Sequence, residues 1–210
     1  LEAARANASR IDWSGYAPPK PKFLGRRLFR NYDLAMIAKY VDWGPFFQTW
    51  DLHGPFPQLL ADEVVGEHAR QVFAEGEKML ERIIAERWLT ANAAVAFFPA
   101  NAVGEDIEVY TDDTRRQLAF TWNGLRQQTR KPVIDGEPNP NQALADFVAP
   151  KSSGIADYIG AFAVTSGIGL EKREAVLQTR HDDYGVIMLK AIADRLAEAF
   201  AEMMHERVRR

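Results

Sequence analysis

The sequence predicts an α+β domain in which a mainly antiparallel sheet is flanked by long amphipathic helices. Apolar residues recur at three- and four-residue steps over 67–88 and again over 183–208, which is the spacing of one helix face. Four β-like runs lie between these stretches, at 93–98, 107–110, 118–122 and 158–164. Short links join the first three runs and favour an antiparallel meander. With 210 residues, the chain is long enough for one large core.

The first 30 residues are predicted to form an extended connector. Prolines between residues 18 and 21 disfavour a helix, and Trp13 and Tyr16 offer aromatic anchors that favour packing over a free tail. We therefore expect a connector over 1–30 and the domain proper over 31–210.

A short helix with an acidic residue at its exit follows the connector. Asn31 is predicted to cap this helix, which ends before Gly44 and Pro45. Asp42 lies at the exit, and four large aromatic residues follow it: Trp43, Phe46, Phe47 and Trp50. Their density predicts a packed aromatic wall beside the carboxylate.

The C-terminal part is predicted to pass from a strand through a turn into helices. The segment 166–169, Ser-Gly-Ile-Gly, is the nearest approach to a phosphate-binding loop, but a strand-to-helix turn explains it better. Asp182 or Asp183 can cap the long last helix.

Composition excludes several function classes. The 26 basic and 29 acidic residues are interspersed and give a net charge of −3, so nucleic acid is not an expected partner. The absence of cysteine rules out disulfides and thiolate metal sites. No apolar run is long enough to span a bilayer and no signal peptide is visible, so we expect a cytoplasmic protein with no membrane partner.

The residues give no sign of a metal centre or of a catalytic triad. The four histidines lack metal-ligand spacing, so no metal site is expected. Two acidic positions are candidate ligand contacts: Asp42, and the pair Asp194 and Glu198 on one face of the last helix. At this point a structural role, at a helix end for Asp42 and in pairing with Arg195 for the others, stays open for each.

The string from Tyr40 to Trp50 resembles the Tyr-Ile-Asp-Trp-x-Pro-Phe-Phe-x-x-Trp signature that opens the activation domain of cobalamin-dependent methionine synthase. Further blocks are similar to this family in the same order, at 62–66, 98–101, 125–129, 144–151, 154–165, 181–184 and 193–206. Upstream, residues 11–19 are similar to the connector that leads from the family's cobalamin-binding module.

The resemblance implies a reactivation module of a methyltransferase that is not catalytic by itself. In the family, cob(I)alamin occasionally oxidises to cob(II)alamin; flavodoxin or a flavoprotein reductase then supplies an electron, and S-adenosylmethionine supplies the methyl group. Cobalamin is held by a separate module of the parent protein, and zinc is expected only in other modules. A non-catalytic docking or scaffold domain that has lost S-adenosylmethionine binding is the alternative.

The resemblance also implies roles for individual residues. The signature's Asp falls on Asp42 and a Glu of the last helix falls on Glu198; both are expected to contact S-adenosylmethionine. Asp194 and Glu171 are expected at the interface with the cobalamin-binding module. The family's Arg-x3-Gly-Tyr segment does not follow the last helix before Arg210. We therefore expect a C-terminally incomplete domain that folds but binds the ligand more weakly than a longer chain.

Overall fold

The computed structural model describes residues 1–134 and 137–210 and confirms the α+β prediction. Its internal contacts divide the chain into two units. The first consists of residues 1–27 and 96–161, and the second of residues 28–95 and 162–210.

The helices agree with the sequence pattern, since both long helices lie where apolar periodicity places them. Their bounds are α1 Glu2–Ala6, α2 Leu34–Ile37, α3 Gly44–Gln48, α4 Gly66–Ala85, α5 Leu170–Gln178 and α6 Asp183–Arg209. Short 3₁₀ turns lie at Ala38–Tyr40, Gln58–Ala61, Leu144–Phe147 and Lys151–Ser153.

Five strands form one sheet and two short strands form a separate ladder. The strands are β1 Gly25–Tyr32, β2 Thr90–Val103, β3 Asp106–Tyr110, β4 Leu118–Trp122, β5 Val133–Ile134, β6 Glu137–Pro138 and β7 Asp157–Ile168. The sheet order is β1-β2-β3-β4, and β7 also pairs with β2. The ladders β2–β3 and β3–β4 are antiparallel, as the short links predict. The ladder β5–β6 is antiparallel as well.

Two details near the start of the domain differ from the sequence prediction. The cap of α2 is Asp33, whose side chain accepts a hydrogen bond from the amide of Ala35, and not Asn31. Asn31 instead lies in β1 with a left-handed φ of 51°, and its amide donates to the side chain of Asn92. Residues 25–30, expected in the connector, belong to β1. The division into a connector over 1–30 and a domain over 31–210 stays a prediction.

The first unit has a small apolar core beside a buried ion network. Its core residues are Ala100, Ala102, Ile107, Val109, Ala145 and Val148. Arg126 lies next to this core and donates to both oxygens of Asp146 at 2.7 and 2.8 Å, to Glu105 at 3.1 Å and to the carbonyl of Asn141 at 2.7 Å. Since the side chains of Arg126 and Asp146 are only 5% and 7% exposed, water solvates neither charge well and each must be neutralised by its partner.

The second unit is built around α4 and α6, which pack against each other. The apolar stripe of α6 is buried at Met188, Leu189, Ile192, Leu196, Phe200 and Met204. Asp182 caps this helix by accepting from the amide of Gly185 at 2.8 Å, as the sequence predicts. Helices α2 and α3 also pack on α6, so the long helix is the frame for the segment that carries Asp42.

Candidate functional site

Asp42 presents its carboxylate to solvent from a fixed position. It lies between the 3₁₀ turn Ala38–Tyr40 and α3, and it is exposed. One oxygen, Oδ1, accepts a hydrogen bond of 2.9 Å from the amide of Gly44. A side chain at position 44 would place its Cβ 3.2 Å from that oxygen, so glycine permits the close approach. The second oxygen has no hydrogen-bond partner in the described part of the chain and is available to a ligand.

A groove of about 370 Å³ lies beside this carboxylate. It is lined by Asp42, Gly44, Pro45, Gln48, Leu52, His53, Gly54, Pro55 and Phe56. One wall therefore comes from α3 and the other from the loop 52–56. The chain reverses tightly between the two walls, because the amide of Leu52 donates to the carbonyl of Phe47 at 3.2 Å and Asp51 adopts a left-handed φ of 58°.

The predicted aromatic wall is packed, but its central rings face the core. Phe46 and Phe47 are 1% and 0% exposed and meet edge to face at 5.5 Å. The ring that lines the groove is Phe56, which stacks on Phe47 at 5.8 Å with an interplanar angle of 26°. A ligand ring in this groove would thus contact Phe56, because the buried pair behind it is inaccessible.

The loop 52–56 is the part of the site that the sequence reasoning missed. His53 lies there with its Nε2 2.9 Å from Oδ1 of Asp51, in an exposed pair. The dipeptide Gly54-Pro55 in this loop is a turn signal in the sequence. The chain reversal onto α3 lies earlier, between Phe47 and Leu52, and the groove wall depends on packing against Phe47.

The three candidate acidic residues of α5 and α6, Glu171, Asp194 and Glu198, are solvent-exposed. Glu198 is exposed and has no ion-pair or hydrogen-bond partner among residues 1–134 and 137–210. Asp194 is 67% exposed and pairs with its neighbour Arg195 at 2.6 Å, in agreement with a structural role for this carboxylate. Glu171 is exposed in the first turn of α5. The nine residues that line the groove of Asp42 do not include Glu198.

Comparison with known proteins shows the family. The sequence model described as "Vitamin B12 dependent methionine synthase, activation domain" matches residues 33–210. The chain belongs to this family. The membership confirms the resemblance seen in the signature around Asp42 and in the blocks that follow it.

A solved structure supports the same assignment at the level of coordinates. The chain is similar to a crystal structure of the MetH reactivation domain bound to AdoHcy, with a TM-score of 0.90 and 49% sequence identity. The match covers 100% of this chain and 62% of that chain, so this chain spans less than two thirds of that relative.

Two further observations concern the described part of the chain as a whole. No helix in the described ranges is long and apolar enough to cross a membrane. Those same ranges hold no group of three or more histidine or acidic side chains placed to bind a metal ion. Of the nine residues that line the groove, Asp42 is the acidic one.

Proposed function

We propose that this activation domain binds S-adenosylmethionine at the groove of Asp42 and presents its methyl group to cobalamin held by another module. The observation that carries the proposal is the exposed carboxylate of Asp42, fixed through one oxygen and free at the other. The AdoHcy bound to the 49% identical relative supports it, because AdoHcy is S-adenosylmethionine without the methyl group.

The chemistry of the groove suits this ligand. S-adenosylmethionine carries a positive ammonium group and a positive sulfonium, and an anionic oxygen attracts both. Pro45, Leu52 and Phe56 supply apolar surface for the rest of the molecule. The groove volume of about 370 Å³ lies within the roughly 300–1,000 Å³ range of small-molecule sites.

The domain's contribution to methyl transfer is then binding and orientation. Cobalamin, when held by its own module, supplies the cobalt centre that accepts the methyl group. The chain's own residues hold the ligand still and shorten the search for a reactive geometry, which is the proximity effect. The exposed carboxylates of Asp194 and Glu171 suit an interface with the cobalamin-binding module, because they can accept hydrogen bonds from donor groups of that module. Glu198 is proposed as a second contact to S-adenosylmethionine.

The remaining partners are proposed on the same resemblance. We infer that flavodoxin or a flavoprotein reductase donates the electron, that the cobalamin-binding module belongs to the same parent protein, and that the protein acts in the cytoplasm. Zinc is proposed only for other modules of that parent.

Calorimetric titration of S-adenosylmethionine tests the proposal. Asp42→Asn should weaken binding about ten- to a hundredfold, the equivalent of one charge-assisted hydrogen bond of roughly 1.5–3 kcal/mol. Asp12→Asn is the matched control, because Asp12 is also exposed and accepts from an amide two residues on, that of Ser14 at 2.9 Å. The control should bind as the wild type does. A folded wild-type chain without measurable affinity would favour the alternative of a docking or scaffold domain.

A further inference from the structure

A side-chain hydrogen bond ties the segment that carries Asp42 to the long helix α6. The hydroxyl of Tyr40 donates a hydrogen bond to Oε2 of Glu206. The other oxygen of Glu206 accepts a hydrogen bond from Arg210, so both carboxylate oxygens are hydrogen-bonded. The 3₁₀ turn Ala38–Tyr40 also packs directly on α6.

The anchor lies close to Asp42 along the chain. Two residues span at most about 7 Å, so the Cα of Asp42 lies within that distance of the Cα of Tyr40, whose side chain is held on α6. The amide of Val41 donates to the carbonyl of Ala38 at 3.2 Å, which closes the turn between anchor and carboxylate. Within the segment, the amide of Gly44 holds the carboxylate of Asp42. The segment 40–44 is thus attached to α6 at Tyr40, and its carboxylate is oriented by an internal hydrogen bond.

The same helix carries the second proposed ligand carboxylate. Glu198 and Glu206 are eight residues apart on α6, about 12 Å along the axis, and positions 198, 202 and 206 follow the four-residue spacing of one helix face. An anchor at Glu206 therefore places the Asp42 segment on the helix that presents Glu198.

We propose that Tyr40 and Glu206 are positioning residues for the S-adenosylmethionine site, whose hydrogen bond holds the Asp42 segment on α6 in the binding arrangement. The inference rests on the proposed function of Asp42, and neither residue is required to touch the ligand. A segment that is already in the binding arrangement gives tighter ligand binding, because the ligand does not have to select a minor conformation of the protein.

Four variants separate this role from a general contribution to stability. Tyr40→Phe removes only the hydroxyl, and Glu206→Ala removes the acceptor. Glu206→Gln keeps an acceptor oxygen and should restore the wild-type behaviour. Tyr184→Phe is the matched control, since the hydroxyl of Tyr184 also donates to a glutamate, Glu75, but at the other end of α6, 22 residues or about 33 Å from Glu206.

Two measurements on the whole chain are needed. Without ligand, hydrogen exchange of the amides of residues 41–44 and 46–48 should be faster in Tyr40→Phe and Glu206→Ala than in the wild type, Glu206→Gln and Tyr184→Phe. In titrations, the first two variants should bind S-adenosylmethionine about three- to tenfold more weakly, as expected when one hydrogen bond no longer holds the segment.

The outcomes distinguish the anchor from the ligand site. Unchanged exchange in Tyr40→Phe would overturn the anchor whatever the titrations show. Faster exchange with unchanged affinity would overturn the positioning role while leaving the proposed function intact. A wild type that does not bind would reject the proposed function and with it the positioning role, and the exchange data would still decide whether the anchor exists. Equal losses in Tyr184→Phe would also overturn the inference.

Discussion

Replacing Arg126 with methionine should destabilise the first unit more than any surface substitution. Methionine fills part of the same space but leaves the carboxylate of Asp146, which is 7% exposed, with a single hydrogen bond of 2.9 Å from the amide of Ala143. Removing one partner of a buried ion pair costs about 3–5 kcal/mol, because an uncompensated charge stays behind. For a chain of this size that corresponds to a fall in melting temperature of roughly 6–20 °C.

Urea unfolding followed by tryptophan fluorescence and circular dichroism measures the loss. Arg130→Met is the control, because Arg130 is exposed four residues further on and should change stability by less than about 0.5 kcal/mol. Adding Asp146→Asn to Arg126→Met should recover part of the loss, since the neutral amide still accepts from Ala143 and leaves no buried charge. A cost below about 1 kcal/mol for Arg126→Met, or no recovery in the double variant, would refute the argument.

Three further predictions concern the rest of the fold. Hydrogen bonds from Arg5 and Arg126 lower the pKa of Glu105 from 4.5 to about 2, so its ionised form stabilises the fold above about pH 4.5 and that contribution is lost as pH falls towards 2. The melting-temperature gap between the wild type and Glu105→Gln should therefore shrink over that interval, and a constant gap would contradict the assignment. Gly76→Ala should destabilise the fold, because the new Cβ would lie 2.6 Å from the ring of the buried Phe46. Overpacking of this kind costs about 1–3 kcal/mol, which exceeds the roughly 1 kcal/mol gained in helix propensity. A variant that is more stable in urea would show that the ring moves freely. Asp182→Ala should lower the free energy of unfolding in urea by about 0.5–2 kcal/mol, because it removes the cap of α6. An equal loss in Asp183→Ala would mean that the cap is wrongly assigned.

Elements whose pattern is local were predictable from the sequence. Helices α4 and α6 follow from apolar residues at helical spacing, and β3 and β4 follow from short apolar runs between turn residues. Strand β1 was missed, because its residues Gly25–Tyr32 are rich in arginine and become a strand only by pairing with β2, far along the chain. Non-local pairing of this kind leaves little trace in the segment itself.

The cap of α2 shows how two equivalent local signals are resolved by tertiary contacts. Asn31 and Asp33 are both good capping residues and lie two positions apart. The side chain of Asn92 accepts from the amide of Asn31 and holds that residue in the strand, which leaves Asp33 to cap the helix. The local sequence does not show that Asn92, 61 residues further along the chain, lies beside Asn31 in the fold.

The candidate site was predictable only in part, because some of its geometry also depends on tertiary packing. Asp42 is recognisable from its signature, and the structure adds that it is exposed and fixed by Gly44. The direction of the aromatic rings was not predictable, because Phe46 and Phe47 face inward as a consequence of packing against each other and Phe73. The groove wall at Phe56 follows from that packing.

A crystal structure of this chain with S-adenosylmethionine would show whether the ligand binds at Asp42. We expect ligand density in the groove of Asp42, with the free carboxylate oxygen within hydrogen-bond distance, about 2.7–3.2 Å, of the ligand's ammonium group or ribose hydroxyls. A ligand bound elsewhere on the chain, with no atom in contact with Asp42, would contradict it.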